Sequence, residues 1–400
     1  MPKCETHVYY KNPDGTIKRV HVRANSRREL NAKCAELKKK EQQGINISNS
    51  KKFGFWADKW MNSTKMDKGL SAGTEGYYKY CVELLKDEFA DVEFRALTMD
   101  VFQDYINRLA KKNPHTGKPT SARYLRHIRS TAKNICLYAS GSHVPGTSAF
   151  YSATIPKNAP KEVRPALNES QVKMVEEFEH PAQLYAMIAC FSGLRRGEVL
   201  ALQWKHIDLE NAKISVVQSL NWEPNQPVVK KGGKTKTSTR TVVVPPVLVS
   251  FLKKYKSSLS VIPAPGAVVV ADKNGEYLTQ SRFRTLWKKY MTALNMEYGD
   301  FKECDDLSNT SPEDLPMKIE TFTTHQCRHF FCTLLYLEDF SVADAMAQMG
   351  HKDCQTTMNI YTDLKTYSKS ELSDEFRKKL LTTYRINLNP GADEQVTKTG

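Results

Sequence analysis

The sequence predicts a multidomain, mainly helical chain: a small β-hairpin with one helix, then an all-α bundle, then a larger mixed α/β unit that is itself mostly helical. Three observations predict it. Two short strand-patterned runs flank a turn near the start. Apolar residues then recur at helical spacing over roughly a hundred residues. Finally, a stretch bearing three prolines, Ile155 to Pro165, separates that region from one in which helical and strand-like segments mix.

The first unit, residues 1–50, opens with His7 to Tyr10 and Ile17 to Arg23, joined by a turn containing Asn12-Pro13-Asp14-Gly15, and continues as a charged helix from about Ser26 to Gln43. It holds 11 Lys and Arg against 5 Asp and Glu, a local charge of +6. Arg19 and Arg23 lie on its second strand. The second unit, 52–155, reads as a four- or five-helix bundle from the apolar spacing in Phe53 to Met61, Tyr77 to Leu85, Met99 to Leu109 and Ala122 to Tyr138. In its last long helix Arg123, Arg126, Ser130 and Lys133 share one face, opposite Leu125, Ile128 and Ile135. That face suits phosphates, although a solvated basic face gives the same pattern. Residues 156–166 are expected to be an extended linker. The third unit, 167–385, starts at a capping-box pair, Asn168 and Gln171, and a polar tail, 386–400, is expected to be disordered.

Composition narrows the partner. The net charge of +15 comes from 59 Lys and Arg against 44 Asp and Glu, and such an excess favours a polyanion because each neutralised phosphate releases counterions. Nine cysteines, odd in number and without a CxxC pair, suggest neither a disulfide framework nor a zinc knuckle. No apolar run suits a secretory signal or a membrane span. A cytoplasmic protein working where DNA is, without a membrane, is the expectation.

The third unit carries the chemistry-bearing residues. Gly193-Leu194-Arg195-Arg196-Gly197-Glu198 joins two helices at a glycine-rich corner and sets Arg195 one helical turn from Glu198. His325-Gln326-Cys327-Arg328-His329 puts a histidine and an arginine at i and i+3, so both reach one point. Met349-Gly350-His351 then ends a helix capped by Ser341, and Tyr361 follows ten residues later. Each piece alone has a bland explanation: a surface ion pair, a packed histidine, one of 18 tyrosines. A zinc site from His325, His329 and His351 is a weak alternative, because the pair lacks the HExxH glutamate and an arginine between them repels a cation.

Taken in order, GLRxGE, a lysine on a hairpin, HxxRH, then GH and a tyrosine ten residues on, the motifs resemble the tyrosine recombinase family, particularly the integrases of phages and conjugative transposons. The resemblance runs from about Leu167 to Leu381. It implies that the third unit is the catalytic domain, that the bundle is the core-binding domain, and that the basic hairpin is an arm-type DNA-binding domain. It also implies a homotetramer on paired double-stranded DNA sites, an accessory directionality factor as a possible partner, and no cofactor or metal. Within the same resemblance, Tyr361 is the nucleophile that joins a DNA 3′-phosphate, and Arg195 and Arg328 clamp the phosphoryl oxygens. Guanidinium suits that role, being always charged and presenting a planar fork. His325 is the candidate base, His351 a hydrogen-bond donor to the phosphate, and Glu198 a residue that orients His or Arg side chains.

The leaving 5′-oxygen needs a proton, which the family takes from a lysine on the turn between two strands. Here that hairpin is expected from Ala212 to Leu220 and Pro227 to Pro245, with Lys230 to Arg240 at its tip; Lys236 is the first candidate and Lys234 the second. Arg240 and Lys234 are expected on the DNA backbone with Arg19, Arg23, Arg123, Arg126 and Lys133. Tyr367 and Tyr384 miss the ten-residue spacing from His351. Residues 297–320 are longer than the family's connection and are expected to form a surface insertion. An amphipathic helix carrying Leu372, Phe376 and Leu380 is expected to pack on the same or a neighbouring subunit. The enzymatic rival is a type IB topoisomerase; the non-enzymatic one is a DNA-binding regulatory protein.

Overall fold

The computed structural model describes residues 4–12, 15, 17–42, 52–68, 70, 72–141, 152–160, 165–232, 239–301, 311–351, 354, 357–358 and 372–387. The chain divides into two compact units, Met1–Val163 and Arg164–Gly400. Hairpin and bundle therefore fall within one unit.

In the first unit β1 (Cys4–Lys11) and β2 (Ile17–Ala24) pair antiparallel with Val8 opposite Val20. Strand alternation splits their residues by face. Val8, Val20, Val22 and Ala24 meet Leu30, Cys34 and Leu37 of α1 (Arg27–Gln42). Glu5, His7, Tyr9, Arg19, His21 and Arg23 lie on the exposed face, where the His7 and His21 rings stack at 4.5 Å. Ser26 starts α1 by accepting from the Glu29 amide at 3.2 Å.

The bundle consists of α2 (Phe53–Lys68), α3 (Ala72–Phe89), α4 (Met99–Lys111) and α5 (Ala122–Gly141). Phe53, Trp56, Leu85, Phe89, Phe102, Ile106, Leu125, Ile128 and Ile135 fill its core. Large aromatics dominate, and four helices suffice to bury them. Arg123, Arg126 and Lys133 stand exposed on α5. The expected linker is shorter at its start. Ala159 is buried on the bundle, and the Pro160 carbonyl accepts from the Ala122 amide at 2.8 Å.

The second unit is built around α7 (Gln183–Ser192), every residue of which is buried. Against it pack α6 (Glu169–Glu177), opened by the Asn168–Gln171 capping box, the short α8 (Arg196–Leu200), and α11 (Thr324–Leu337). Five short strands form two small sheets: β3 (Ile207–Asp208), β4 (Lys213–Val216) and β7 (Arg240–Val243) in the order β3-β4-β7, and β5 (Gln218–Trp222) with β6 (Pro227–Lys231).

The registers correct the expected hairpin. Its end is the turn where the Glu223 amide donates to the Gln226 carbonyl, beyond the Trp222–Pro227 pair. Gln218 lies opposite Lys231, and Val216 opposite Arg240. The described ends of the lysine-bearing segment, Lys231 and Arg240, thus lie opposite Gln218 and Val216, well away from the hairpin's end. Residues 233–238, with Lys234 and Lys236, lie outside the described residues.

Beyond β7 come α9 (Pro246–Ser258), α10 (Gln280–Tyr298), α11, α12 (Val342–Met349) and α13 (Asp374–Leu381). The expected insertion is anchored in part. Buried Asn295 donates to the Pro316 carbonyl and accepts from the Lys318 and Ile319 amides at 2.7 and 3.2 Å. Residues 302–310 lie outside the described ones. The terminal helix packs on its own unit: Leu372, Phe376 and Leu380 belong to the core, and Lys379 pairs with Glu176 at 2.9 Å. The expected tail begins one or two residues too early, because Ile386 is buried too. No helix among the described residues is long and apolar enough to cross a membrane.

Candidate active site

The corner after α7 depends on Gly193, whose φ of +61° is left-handed. A β-carbon there would overlap Phe331 and lie 2.8 Å from Met349 Sδ, so only glycine lets α7, α11 and α12 converge. The next turn sets Arg195 at the head of α8. Its amide donates to Glu198 Oε2 at 2.8 Å and its Nη1 to Glu198 Oε1 at 2.9 Å.

Arg240 completes this arrangement. Its Nη1 and Nη2 donate to Glu198 Oε1 and Oε2 at 3.1 and 2.8 Å, a two-pronged pair in which both side chains are 7% exposed. One carboxylate therefore receives four bonds from two arginines. Burial alone raises the Glu198 carboxyl's pKa, but the Arg240 fork and charge, with the Arg195 amide and charge, outweigh it and hold it at about 2. Glu198 is ionised throughout the neutral range.

The same arginines close the C-terminal end of α12. Arg240 Nε donates to the Gln348 carbonyl at 2.9 Å, Arg328 Nη2 to Met349 at 2.6 Å, and Arg195 Nη2 to Gly350. Arg328 Nη1 donates as well to the Gly193 carbonyl. Three successive carbonyls that a helix end leaves unpaired thus each meet a guanidinium, at the negative end of the helix dipole. Gly350 takes a left-handed φ of +63°, and a β-carbon on it would press on the Arg240 guanidinium at 2.8 Å.

His351 follows directly. Its Nδ1 is 2.8 Å from Thr357 Oγ1, and burial together with the charges of Arg328 and Arg195 lowers its pKa to about 3, so the imidazole is neutral. Burial, followed by repulsion from Arg195, also lowers Arg328, to about 9. Arg328 is 3% exposed whereas the Arg195 side chain is 45% exposed. Arg195 offers the accessible edge of the cluster and Arg328 the charge beneath it.

His325 is exposed on the first turn of α11, one turn before Arg328, its ring 4.5 Å from that of His329. Tyr361 and Tyr367 lie outside the described residues. Tyr384, the other alternative, is buried among Phe191, Phe330 and Phe376 and cannot reach a DNA phosphate. Arg240 corrects one expectation. A guanidinium with all three nitrogens on protein acceptors in a buried pocket is not a backbone-binding tip. Its partner Gln348, whose Oε1 accepts from the Val243 amide at 3.0 Å, was not singled out by the sequence. One signal was available: Arg240 shares strand phase with Val242, hence an inward face.

Residues 160–367 match the model of the phage integrase family. The chain is 21% identical over 397 residues to a tyrosine recombinase XerC-like protein of Caldanaerobacter subterraneus subsp. tengcongensis, covering 92% of this chain and 94% of that one. It is 26% identical over 212 residues to the ICEBs1 integrase of Bacillus subtilis, 53% of each chain. Among solved structures it is similar in fold to the Tn1549 transposon integrase in complex with transposon right end DNA, with a TM-score of 0.59 and 16% identity over 79% of this chain and 99% of that one. A lambda integrase dimer bound to a COC' core site gives 0.53 and 16% over 92% and 95%.

Proposed function

The chain belongs to the phage integrase family, the tyrosine recombinases, and from that premise we propose that it cleaves and rejoins DNA through a 3′-phosphotyrosyl intermediate on Tyr361, integrating or excising a mobile element. The observation that carries the reading is the meeting of Arg195 and Arg328, far apart in sequence, on adjacent carbonyls at the helix end that leads into His351.

In the proposed reaction the Tyr361 oxygen attacks phosphorus and the bond to the 5′-oxygen breaks. His325 accepts the phenol proton, and Lys236, or failing it Lys234, protonates the leaving oxygen. Phosphoryl transfer is mainly positioning and charge stabilisation, for which preorganised guanidinium groups suffice. Arg195 approaches the phosphate from the accessible side, and Arg328 adds positive potential from the buried side. Neutral His351 donates a hydrogen bond rather than a proton. A 5′-hydroxyl of another strand then attacks the phosphotyrosine and releases Tyr361. The phosphodiester energy is retained, so joining needs no ATP.

The exposed basic side chains of β2 and α5 supply DNA contacts, Arg19 and Arg23 from the hairpin and Arg123, Arg126 and Lys133 from the bundle. The ICEBs1 integrase and the DNA-bound Tn1549 and lambda integrases support DNA sites of a mobile element as substrate. A homotetramer on two sites, helped by a directionality factor, is the assembly proposed. The test is a nicked suicide site carrying the element's end. Wild type forms a covalent protein–DNA adduct, and Tyr361→Phe binds equally but forms none. An adduct that persists in Tyr361→Phe refutes the assignment, and relaxation of plasmid lacking any site, without strand exchange, favours a topoisomerase.

A further inference from the structure

We propose that Arg240 is a positioning residue for strand cleavage: it locks Glu198, and through Glu198 Arg195, against the C-terminal end of α12. The inference rests on the recombinase reading above and adds a residue to it. The Arg240 side chain is 7% exposed, and its Nε, Nη1 and Nη2 each donate to a protein acceptor, so it acts through those acceptors.

Three observations tie those commitments to the reacting groups. Glu198 Oε1 is shared between Arg240 Nη1 and Arg195 Nη1, so the carboxylate cannot move without moving the exposed guanidinium. Arg240 Nε and the Val243 amide bind the backbone and side chain of Gln348, joining β7 to α12 two residues before Gly350 and three before His351. Gly350 leaves the space that the Arg240 guanidinium fills. β7 also follows, in sequence, the residues that bear Lys234 and Lys236, and its first residue, Arg240, pairs with Val216 of β4. One side chain therefore connects the root of the lysine segment, the exposed Arg195 and the helix end before His351.

A purely structural ion pair behaves otherwise, because replacing such a buried pair by apolar groups is often neutral or stabilising. A positioning role is specific to geometry, and lysine, a point charge without a fork, does not restore it.

The experiment measures single-turnover adduct formation on the suicide site, DNA affinity and thermal unfolding for Arg240→Lys, Arg240→Met and Arg240→Met/Glu198→Gln. Arg240→Lys is expected to fold and to bind DNA within about twofold of wild type, yet to cleave ~100-fold slower, as for a displacement of about an ångström. In Arg240→Met the buried Glu198 keeps only Arg195, its pKa rises, and cleavage acquires a loss on the acid side that wild type lacks. The double variant removes that acid-side loss and recovers part of the rate.

Hydrogen exchange gives an arm independent of chemistry: peptides spanning 195–200 and 342–351 exchange faster in Arg240→Lys. Wild-type cleavage rates and exchange in Arg240→Lys overturn the proposal, as does an Arg240→Met pH profile parallel to that of wild type. Absence of an adduct in wild type would instead remove the recombinase reading, and the exchange result would still decide whether Arg240 holds the cluster.

Discussion

Glu198→Gln provides a quantitative test of the charge cluster. The Glu198 carboxyl sits at about 2 against an ordinary 4.5, a difference worth about 3 kcal/mol of folding free energy at ~1.4 kcal/mol per pH unit. Because the folded value is the depressed one, this stability is fully present above about pH 5 and is lost as pH falls through the folded pKa. Linkage places about 2 kcal/mol of the loss between pH 7 and pH 3. Glutamine has no carboxylate to titrate and leaves two guanidinium groups short of an anion, which at a buried pair also costs about 3 kcal/mol. The gap between wild type and variant should therefore be about 3 kcal/mol at pH 7 and roughly 1 kcal/mol at pH 3. Urea titrations of the full chain, read by hydrogen exchange of α7 and α11 peptides, measure it in the second unit alone. A gap that stays constant across this range refutes the electrostatic account and leaves only packing.

Four further outcomes follow from particular contacts. Gly193→Ala puts a side chain at a left-handed φ and onto Phe331, so the second unit should lose about 3 kcal/mol, seen as a lower melting temperature. His351, held neutral with a pKa of about 3, should show no imidazole chemical-shift change between pH 8 and pH 5 by NMR; a midpoint near the ordinary 6.5 contradicts its burial beside the arginines. Leu380→Ala removes a buried side chain of α13 and should cost about 2–3 kcal/mol at every protein concentration. A cost that grows on dilution would mean that α13 docks on another copy. Arg123→Ala and Lys133→Ala should each lower the slope of log affinity against log salt by about 1, with stability unchanged; an unaffected slope takes the α5 face off the DNA.

Periodicity was the most legible part of the sequence. The alternation in β1 and β2, the apolar spacing of α2 to α5 and the caps at Asn168 and Ser341 all depend on neighbours a few residues away, and local chemistry fixes such features. The strand registers around the lysine segment were not legible, because Glu223-Pro224-Asn225-Gln226 and the stretch 232–239 are both polar and bear turn-forming residues, proline and asparagine in one and paired glycines in the other, so either could end the hairpin. The burial of Arg240 is hidden in the sequence for a related reason. A basic loop and a buried guanidinium look alike until the acceptor is known, and its acceptors, Glu198 and the Gln348 carbonyl, are 42 and 108 residues away. The sequence by itself determined the family, since the ordered arginine, histidine and tyrosine motifs resemble those of the tyrosine recombinases and residues 160–367 match the phage integrase model. Tertiary structure alone decided which groups bear on one another: that α12 ends on three guanidinium groups, that Glu198 serves two of them, and that Arg195 rather than Arg328 faces solvent. Those relations arise from long-range packing around α7, which no local pattern encodes.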